Sequence, residues 1–259
     1  MTRPTIAECK ARFAAASMRE LPQLIEEYSG DARSGVQALV RRALVSLEKH
    51  RAEVSRVEAM AALERTLREG GCRAVAGLDE VGRGALAGPV TVAAVILPAG
   101  VVIEGLNDSK LIDPADRVRL ATQIRSIAEA VTIAHAAAHV IDAIGIAGAI
   151  RYAMEHALSR LPVRPDHAVT DGRPFGLSVP ETAVVKGDSS VAAIAAASIV
   201  AKVERDTIMR RLADAYPAWE FDSNKGYGTS GHLAAISGHG LSIVHRRSFS
   251  PCDSQPALF

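Results

Sequence analysis

Aromatic side chains are scarce in this chain of 259 residues, at 4%, and there are only three cysteines. Cys9, Cys72 and Cys252 are odd in number, far apart and not spaced as metal ligands. That pattern excludes a disulfide framework and fits a reduced, cytoplasmic protein. Neither sign of charge dominates. A formal net charge of +1 excludes a strong global field steering polyanions, so any nucleic-acid binding must come from local basic patches. Long apolar runs are missing as well. The longest, residues 191–201, is too short and too rich in alanine to span a bilayer, so no membrane partner is expected. Residues 1–20 lack an unbroken apolar stretch, and no secretory signal is evident. No internal repeat or low-complexity tract is found.

What is present centres on one stretch, Ala76-Gly77-Leu78-Asp79-Glu80-Val81-Gly82-Arg83-Gly84-Ala85-Leu86-Ala87-Gly88-Pro89. Two adjacent carboxylates stand where an apolar run gives way to glycine-rich backbone, and a second apolar run, 90–97, follows at once. The pattern predicts strand, tight glycine turn, strand. Neighbouring strand residues point to opposite faces, so Asp79 and Glu80 can share one site only if the backbone bends or one ligates through its carbonyl. Alone, an Asp-Glu pair reads as a solvated acidic turn. The adjoining Gly82-Arg83-Gly84 changes that reading, because glycine has no Cβ and lets another backbone come close.

The length suits one large domain plus an appendage, or two small domains. Residues 1–72 read as an N-terminal helical extension of two or three helices with a break around 28–34, ended by Gly70-Gly71. Val36, Leu39, Val40, Ala43, Leu44 and Leu47 follow helical spacing. Residues 73–259 read as a second domain of mixed grammar. Strands are predicted at 73–78, 90–97, 131–140, 167–170 and 182–186. Helices are predicted from Asp113-Pro114 to about 130, from 146 to 161, and from Asp188-Ser189 to about 216, with short C-terminal helices over 229–249 broken by Gly238 and Gly240. Strands alternating with helices after an opening hairpin give an α/β fold, a mixed sheet flanked by helices.

Further motifs follow in order: Asn107-Asp108-Ser109-Lys110, Thr170-Asp171-Gly172, Val185-Lys186-Gly187-Asp188, the segment from Ala196 to Asp206, Asn224-Lys225-Gly226-Tyr227-Gly228-Thr229, and His245-Arg246-Arg247-Ser248-Phe249. Together with the Asp79-Glu80 stretch this series resembles the type 2 ribonucleases H, the ribonuclease HII family, over roughly residues 73 to 252. The resemblance implies a ribonuclease H-like, five-stranded mixed sheet. It also implies an endoribonuclease acting on the RNA strand of RNA/DNA hybrids and at single ribonucleotides within duplex DNA. Cleavage would fall on the 5′ side of the ribonucleotide and leave 3′-hydroxyl and 5′-phosphate ends. A role in ribonucleotide excision repair and replication, and a monomeric state, go with it. The third-type relatives usually carry threonine between the two glycines, so Arg83 favours the second type. The rival readings are a nuclease of the same fold limited to longer hybrids, and a non-catalytic hybrid-binding protein.

Phosphodiester hydrolysis with two hard cations, Mn2+ or Mg2+, needs several oxygen ligands converging on one spot. Asp79, Glu80, Asp171 and Asp188 each end a strand-like run, and strand ends at one sheet edge can face a common point. The resemblance makes these same four positions the catalytic metal ligands. Singly, Asp171 would read as a turn residue and Asp188 as a helix N-cap. Asp206, deep in the predicted long helix, reads as pairing with a neighbouring arginine or binding nothing. For the substrate, backbone groups of Gly82-Arg83-Gly84 can bracket a ribose 2′-hydroxyl, which distinguishes RNA from DNA. Tyr227, in a glycine-flanked exposed loop, can stack on a sugar or base, and the resemblance places it beside the ribonucleotide–deoxyribonucleotide step. Ser109, Lys110, Lys186, Lys202, Lys225 and Thr229 are candidates for phosphate contacts, and Arg246-Arg247 for extending the basic track. Two positions depart from the family's common pattern: Gly145, where an asparagine is frequent nearby, and Leu111, where a second lysine is common. His135 and His139 share a face of the predicted third strand but stand too far apart on it to bind one ion.

Overall fold

The computed structural model describes residues 3–254. The chain forms two compact units, Met1–Glu58 and Ala59–Phe259, which divide upstream of the boundary at 72 read from the sequence. The first contains α1 (Ile6–Ala15), α2 (Leu21–Tyr28) and most of α3 (Ser34–Met60). Thr5 and Glu8 close a capping box on α1, satisfying amides that the first helical turn leaves without partners. Cys9, Leu24, Tyr28, Val36 and Val40 make its core. The expected break after Tyr28 is present. A second break between α1 and α2 was not foreseen, so the extension, with α4 (Ala62–Glu69), has four helices and not two or three.

The second unit is built on a five-stranded mixed sheet of order β3-β2-β1-β4-β5. In chain order come β1 (Val75–Val81), β2 (Val90–Ile96), α5 (Pro114–Ile127), β3 (Ala130–Ala136), α6 (Ala138–Ser159), β4 (His167–Asp171) and β5 (Glu181–Val184). There follow α7 (Gly187–Ser190), α8 (Ala192–Ala215), α9 (Phe221–Asn224) and α10 (Ser230–His239). The pairs β1–β2 and β2–β3 are antiparallel, whereas β1–β4 and β4–β5 are parallel. Asp113 caps α5 through the Ala115 amide, as its Asp-Pro sequence predicts.

The pleat of β1 sorts its residues between two layers. Ala76 and Leu78 join Val92, Ala94 and Ile96 in a core with Ile141, Ile150, Met154 and Leu158 of α6. Gly77 faces the other way, onto α8. A Cβ there would lie 2.2 Å from the Ala193 carbonyl carbon, so only glycine lets this alanine-rich helix lie flat on β1.

Several sequence expectations need correction. The helix expected from Asp188 to about 216 is two helices, because Val191 is extended (φ −125°) between α7 and α8. The third strand stops at Ala136 and α6 begins at Ala138, so His139 is helical and does not share a strand with His135. α6 bends at Gly145, whose φ is 71°. β1 runs through Asp79 and Glu80 to Val81, so the carboxylates lie within the strand, and the eight-residue link 82–89 replaces the tight turn. α10 continues past Gly238 and ends at Gly240. No described helix is long and apolar enough to cross a membrane.

Candidate active site

β1, β4 and β5 run parallel, so their C-terminal ends share one sheet edge, the usual place for ligands on such sheets. Asp79 and Glu80 stand near the end of β1, Asp171 is the last residue of β4, and Asp188 stands in the first turn of α7, just beyond β5. All four line one cleft of about 470 Å³. The pleat still sends Asp79 and Glu80 to opposite faces, so the cleft spans both faces at the end of β1. Among the described residues, no three His, Cys, Asp or Glu side chains are gathered closely enough to hold a metal ion. The donor set nevertheless fits Mg2+ or Mn2+, being oxygen throughout.

The electrostatics show the cost of gathering these carboxylates. Burial pushes the Asp79 carboxyl well above the ordinary range, and the charges of Glu80 and Asp171 push it further, with Ser198 hydrogen bonding acting the other way. Burial likewise raises Glu80, opposed by Arg83, which lies 3.6 Å away. Asp188 is raised by burial and by Asp108 and Asp171, while Lys110, 3.6 Å away, works against the rise. Burial disfavours the charge on Lys110, but Asp108, Asp188 and Asp79 outweigh it and hold its pKa above normal. Asp171 accepts the Gly187 amide at 2.7 Å, tying the end of β4 to the start of α7. Asp188 caps no helix; Lys186, left-handed at φ 57°, occupies the N-cap of α7 and bonds through its carbonyl, not its side chain.

Of the other sequence candidates, Gly82, Arg83, Gly84, Ser109, Lys110, Lys202 and Tyr227 line the same cleft, and Lys186, Lys225 and Thr229 do not. Thr229 caps α10 through the His232 amide, and Lys225 folds back onto the Asp222 carbonyl. Lys202 pairs with Asp206 at 2.7 Å, and Arg117 approaches the same carboxylate at 3.8 Å. Gly82 has φ +95°, and a Cβ on it would overlap Arg205; around Gly84 there is open space. Tyr227 is 37% exposed, with the Arg205 guanidinium 5.4 Å from its ring centre.

The roles of two kinds of residue escaped the sequence reading. Ser198 lines the cleft and donates to Ser109 at 2.9 Å, yet a serine in an alanine-rich helix carries no signal. Arg205 and Arg246 are fully buried and hold the glycine-rich link by its carbonyls. Arg205 donates to Ala87, Pro89 and Lys225, and Arg246 to Arg83 and Gly88. Arg246 therefore cannot extend a phosphate-binding track; its neighbour Arg247 is exposed. His135 on β3 bonds Thr91, while His139 stands in the first turn of α6.

Residues 76–252 match the family model described as Ribonuclease HII, and residues 5–68 match the one described as Ribonuclease HII N-terminal domain. A Ribonuclease HII of Bacillus anthracis is 42% identical over 221 residues, spanning 85% of this chain and 86% of the relative. Among solved structures, ribonuclease H2 of Pyrococcus horikoshii OT3 aligns with a TM-score of 0.61 and 25% identity, over 70% of this chain and 96% of that one. Bst-RNase HIII in complex with Mn2+ aligns with a TM-score of 0.50 and 17% identity, over 70% and 68% of the two chains, a likeness of fold alone. With the motif series, the sheet order and the carboxylate edge in agreement, the chain belongs to the ribonuclease HII family, endoribonucleases of RNA/DNA hybrids.

Proposed function

We propose that the cleft cleaves the phosphodiester on the 5′ side of a ribonucleotide, both in RNA/DNA hybrids and where one ribonucleotide is embedded in duplex DNA. The observation that carries this reading is the shared lining of one cleft by four carboxylates, Gly82-Arg83-Gly84 and Tyr227. Asp79, Glu80, Asp171 and Asp188 would hold a pair of divalent cations, Mn2+ or Mg2+, which supply an activated water and charge stabilisation for the leaving oxygen. The raised pKa values of Asp79, Glu80 and Asp188 support this role, since a cation offsets both the burial that is their main cause and the mutual repulsion that adds to it.

The protein's own groups do the choosing. Phosphate contacts cannot separate RNA from DNA, because both backbones carry them. The 2′-hydroxyl is the added handle, and the open space at Gly84 leaves the backbone there room to meet it. Tyr227 seats the neighbouring sugar, and Lys110 and Lys202 face the phosphates. The protein is expected to act alone, as a monomer in the cytoplasm.

A duplex carrying one ribonucleotide, incubated with purified protein and Mn2+ or Mg2+, tests the reading. A single cut 5′ of the ribonucleotide, leaving 3′-hydroxyl and 5′-phosphate ends and abolished by chelation, is expected. Cleavage confined to long RNA stretches would replace it with the hybrid-only reading, and metal-independent cleavage would overturn it.

A further inference from the structure

Beneath Tyr227 lie two histidines that the chemistry above does not use. His232, in the first turn of α10, and His245 are 0% and 2% exposed. Their Nε2 atoms stand 3.1 Å apart. The groups at the two ends determine where the protons sit. The Ser242 backbone N–H, always a donor, points at His245 Nδ1 from 3.0 Å. That nitrogen therefore offers its lone pair, and the proton of the neutral ring is on Nε2. At the other end, His232 Nδ1 lies 2.9 Å from the Tyr227 carbonyl, always an acceptor. Here Nδ1 carries the proton and Nε2 the lone pair. One hydrogen bond then runs from His245 Nε2 to His232 Nε2.

With both rings neutral every donor in this row meets an acceptor, and the Ser242 hydroxyl, 2.8 Å from His245 Nδ1, can turn its proton to the same nitrogen. A proton added to His245 Nδ1 would face the Ser242 amide and leave only that hydroxyl to accept it, and one added to His232 Nε2 would face the His245 proton. The surroundings agree: Phe221 and Trp219 wall the pair, with Phe221 edge-on to His232 at 5.4 Å and Trp219 5.8 Å from His245. Burial holds both rings below the ordinary histidine range, His245 at about 4 with His232 adding to the effect. At its far end the row meets a loop that needs fixing, because Tyr227 has a glycine on either side. Its carbonyl also accepts the Thr229 amide at 2.8 Å, and its amide bonds the Asn224 carbonyl at 2.9 Å.

We propose that His232 and His245 are positioning residues, a neutral two-imidazole strut that fixes the Tyr227 backbone and so aims its ring into the cleft. The inference rests on the reading of Tyr227 as the residue that seats the sugar. Two measurements test it separately. Nitrogen-15 spectra of the imidazoles in the metal-free protein at neutral pH should show His232 protonated on Nδ1 alone and His245 on Nε2 alone; any other tautomer, or a charged ring, overturns the strut. In kinetics, His232→Phe keeps a ring but loses the donor, whereas His232→Asn can present an amide N–H where Nδ1–H stood. His232→Phe should lower turnover on the single-ribonucleotide duplex about tenfold, with less loss on a long hybrid and little change in duplex affinity, and His232→Asn should recover most of it. Equal losses on both substrates with no rescue would make the histidines mere packing. Should His232→Phe fail to fold, His232→Asn against wild type and the tautomer spectrum decide the matter. If Tyr227→Ala itself lacks the substrate-selective loss while the tautomers are as stated, it is the reading of Tyr227 that fails.

Discussion

Asp79 is the residue at which the proposed chemistry and the stability of the fold would oppose each other most directly. Its carboxylate is buried 7% exposed at the strand end, with Glu80 and Asp171 as charged neighbours. A carboxyl whose folded pKa is raised favours the folded state only while protonated, so stability falls as pH rises from the unfolded value through the folded one. At neutral pH the metal-free protein carries that penalty. Asp79→Asn removes the charge and keeps the shape. It should abolish cleavage at saturating Mg2+, leave duplex binding largely intact, and raise the metal-free melting temperature by a few degrees, equivalent to about 1 kcal/mol. Calorimetry and a cleavage assay on one preparation check both; near-normal turnover would remove Asp79 from the chemistry. The carboxylates were legible in the sequence because each sits in a spaced motif at a strand end. Arg246 was not, since in a sequence a buried arginine that binds carbonyls looks the same as a solvated one.

Among the elements, α8 is placed by a contact from well outside the sequence motifs. Val191, its N-cap residue, offers no side-chain bond. Glu64 of α4, 8% exposed, instead accepts the Ala193 amide at 2.7 Å, an acceptor lent across 129 positions. Burial raises the Glu64 pKa, and its second oxygen meets no hydrogen-bond partner among the described residues, so this contact is made at some cost. Ala193 is also where α8 meets Gly77, two residues before Asp79. Because every sequence motif lies beyond 72, a chain starting near Gly71 is expected to keep the chemistry, yet it would lack Glu64. A chain starting at Ala59 should unfold at higher urea than one starting at Gly71, and Glu64→Ala in the full chain should cost about 1–2 kcal/mol, with Glu64→Gln losing less. Identical midpoints for the two shortened chains would show that the cap contributes nothing. The break at Val191 and the early start of α6 escaped the sequence for a common reason: alanine-rich runs such as 134–138 and 192–197 suit helix and buried strand alike, and only packing partners decide.

Over the whole molecule the net charge is near zero, so its pH behaviour is set by a few buried groups. The raised carboxyls Asp79, Glu80 and Asp188 contribute less stability as pH rises. The buried histidines do the opposite: with folded pKa values depressed, their contribution is complete above the ordinary histidine range and is lost on acidification, for His245 until pH reaches about 4. On the proposed reading a divalent cation would act on the first set alone, and it needs its ligands deprotonated. The gain in melting temperature from millimolar Mn2+ should therefore grow from mildly acid to mildly alkaline pH, and should vanish in Asp79→Asn. Thermal melts across that range with and without metal test this; a gain independent of pH would place the cation elsewhere.

The central place of β1 also has a consequence in time. It is laddered to β2 along Ala76–Val81 and to β4 along Val75–Leu78, and helices cover both faces. Such a strand exchanges its amide hydrogens only when the whole unit opens. The 82–89 link and the Tyr227 loop belong to no ladder; scattered backbone bonds, such as Leu86 N–H to Gly226, and the arginine and histidine bonds to their carbonyls hold them, and those can release one at a time. In deuterated water, Leu78, Asp79 and Glu80 should be among the last amides to label, and Gly84 and Gly228 among the first. Substrate would then be sampled by segments that fluctuate quickly against carboxylates that stay in place for the lifetime of the fold.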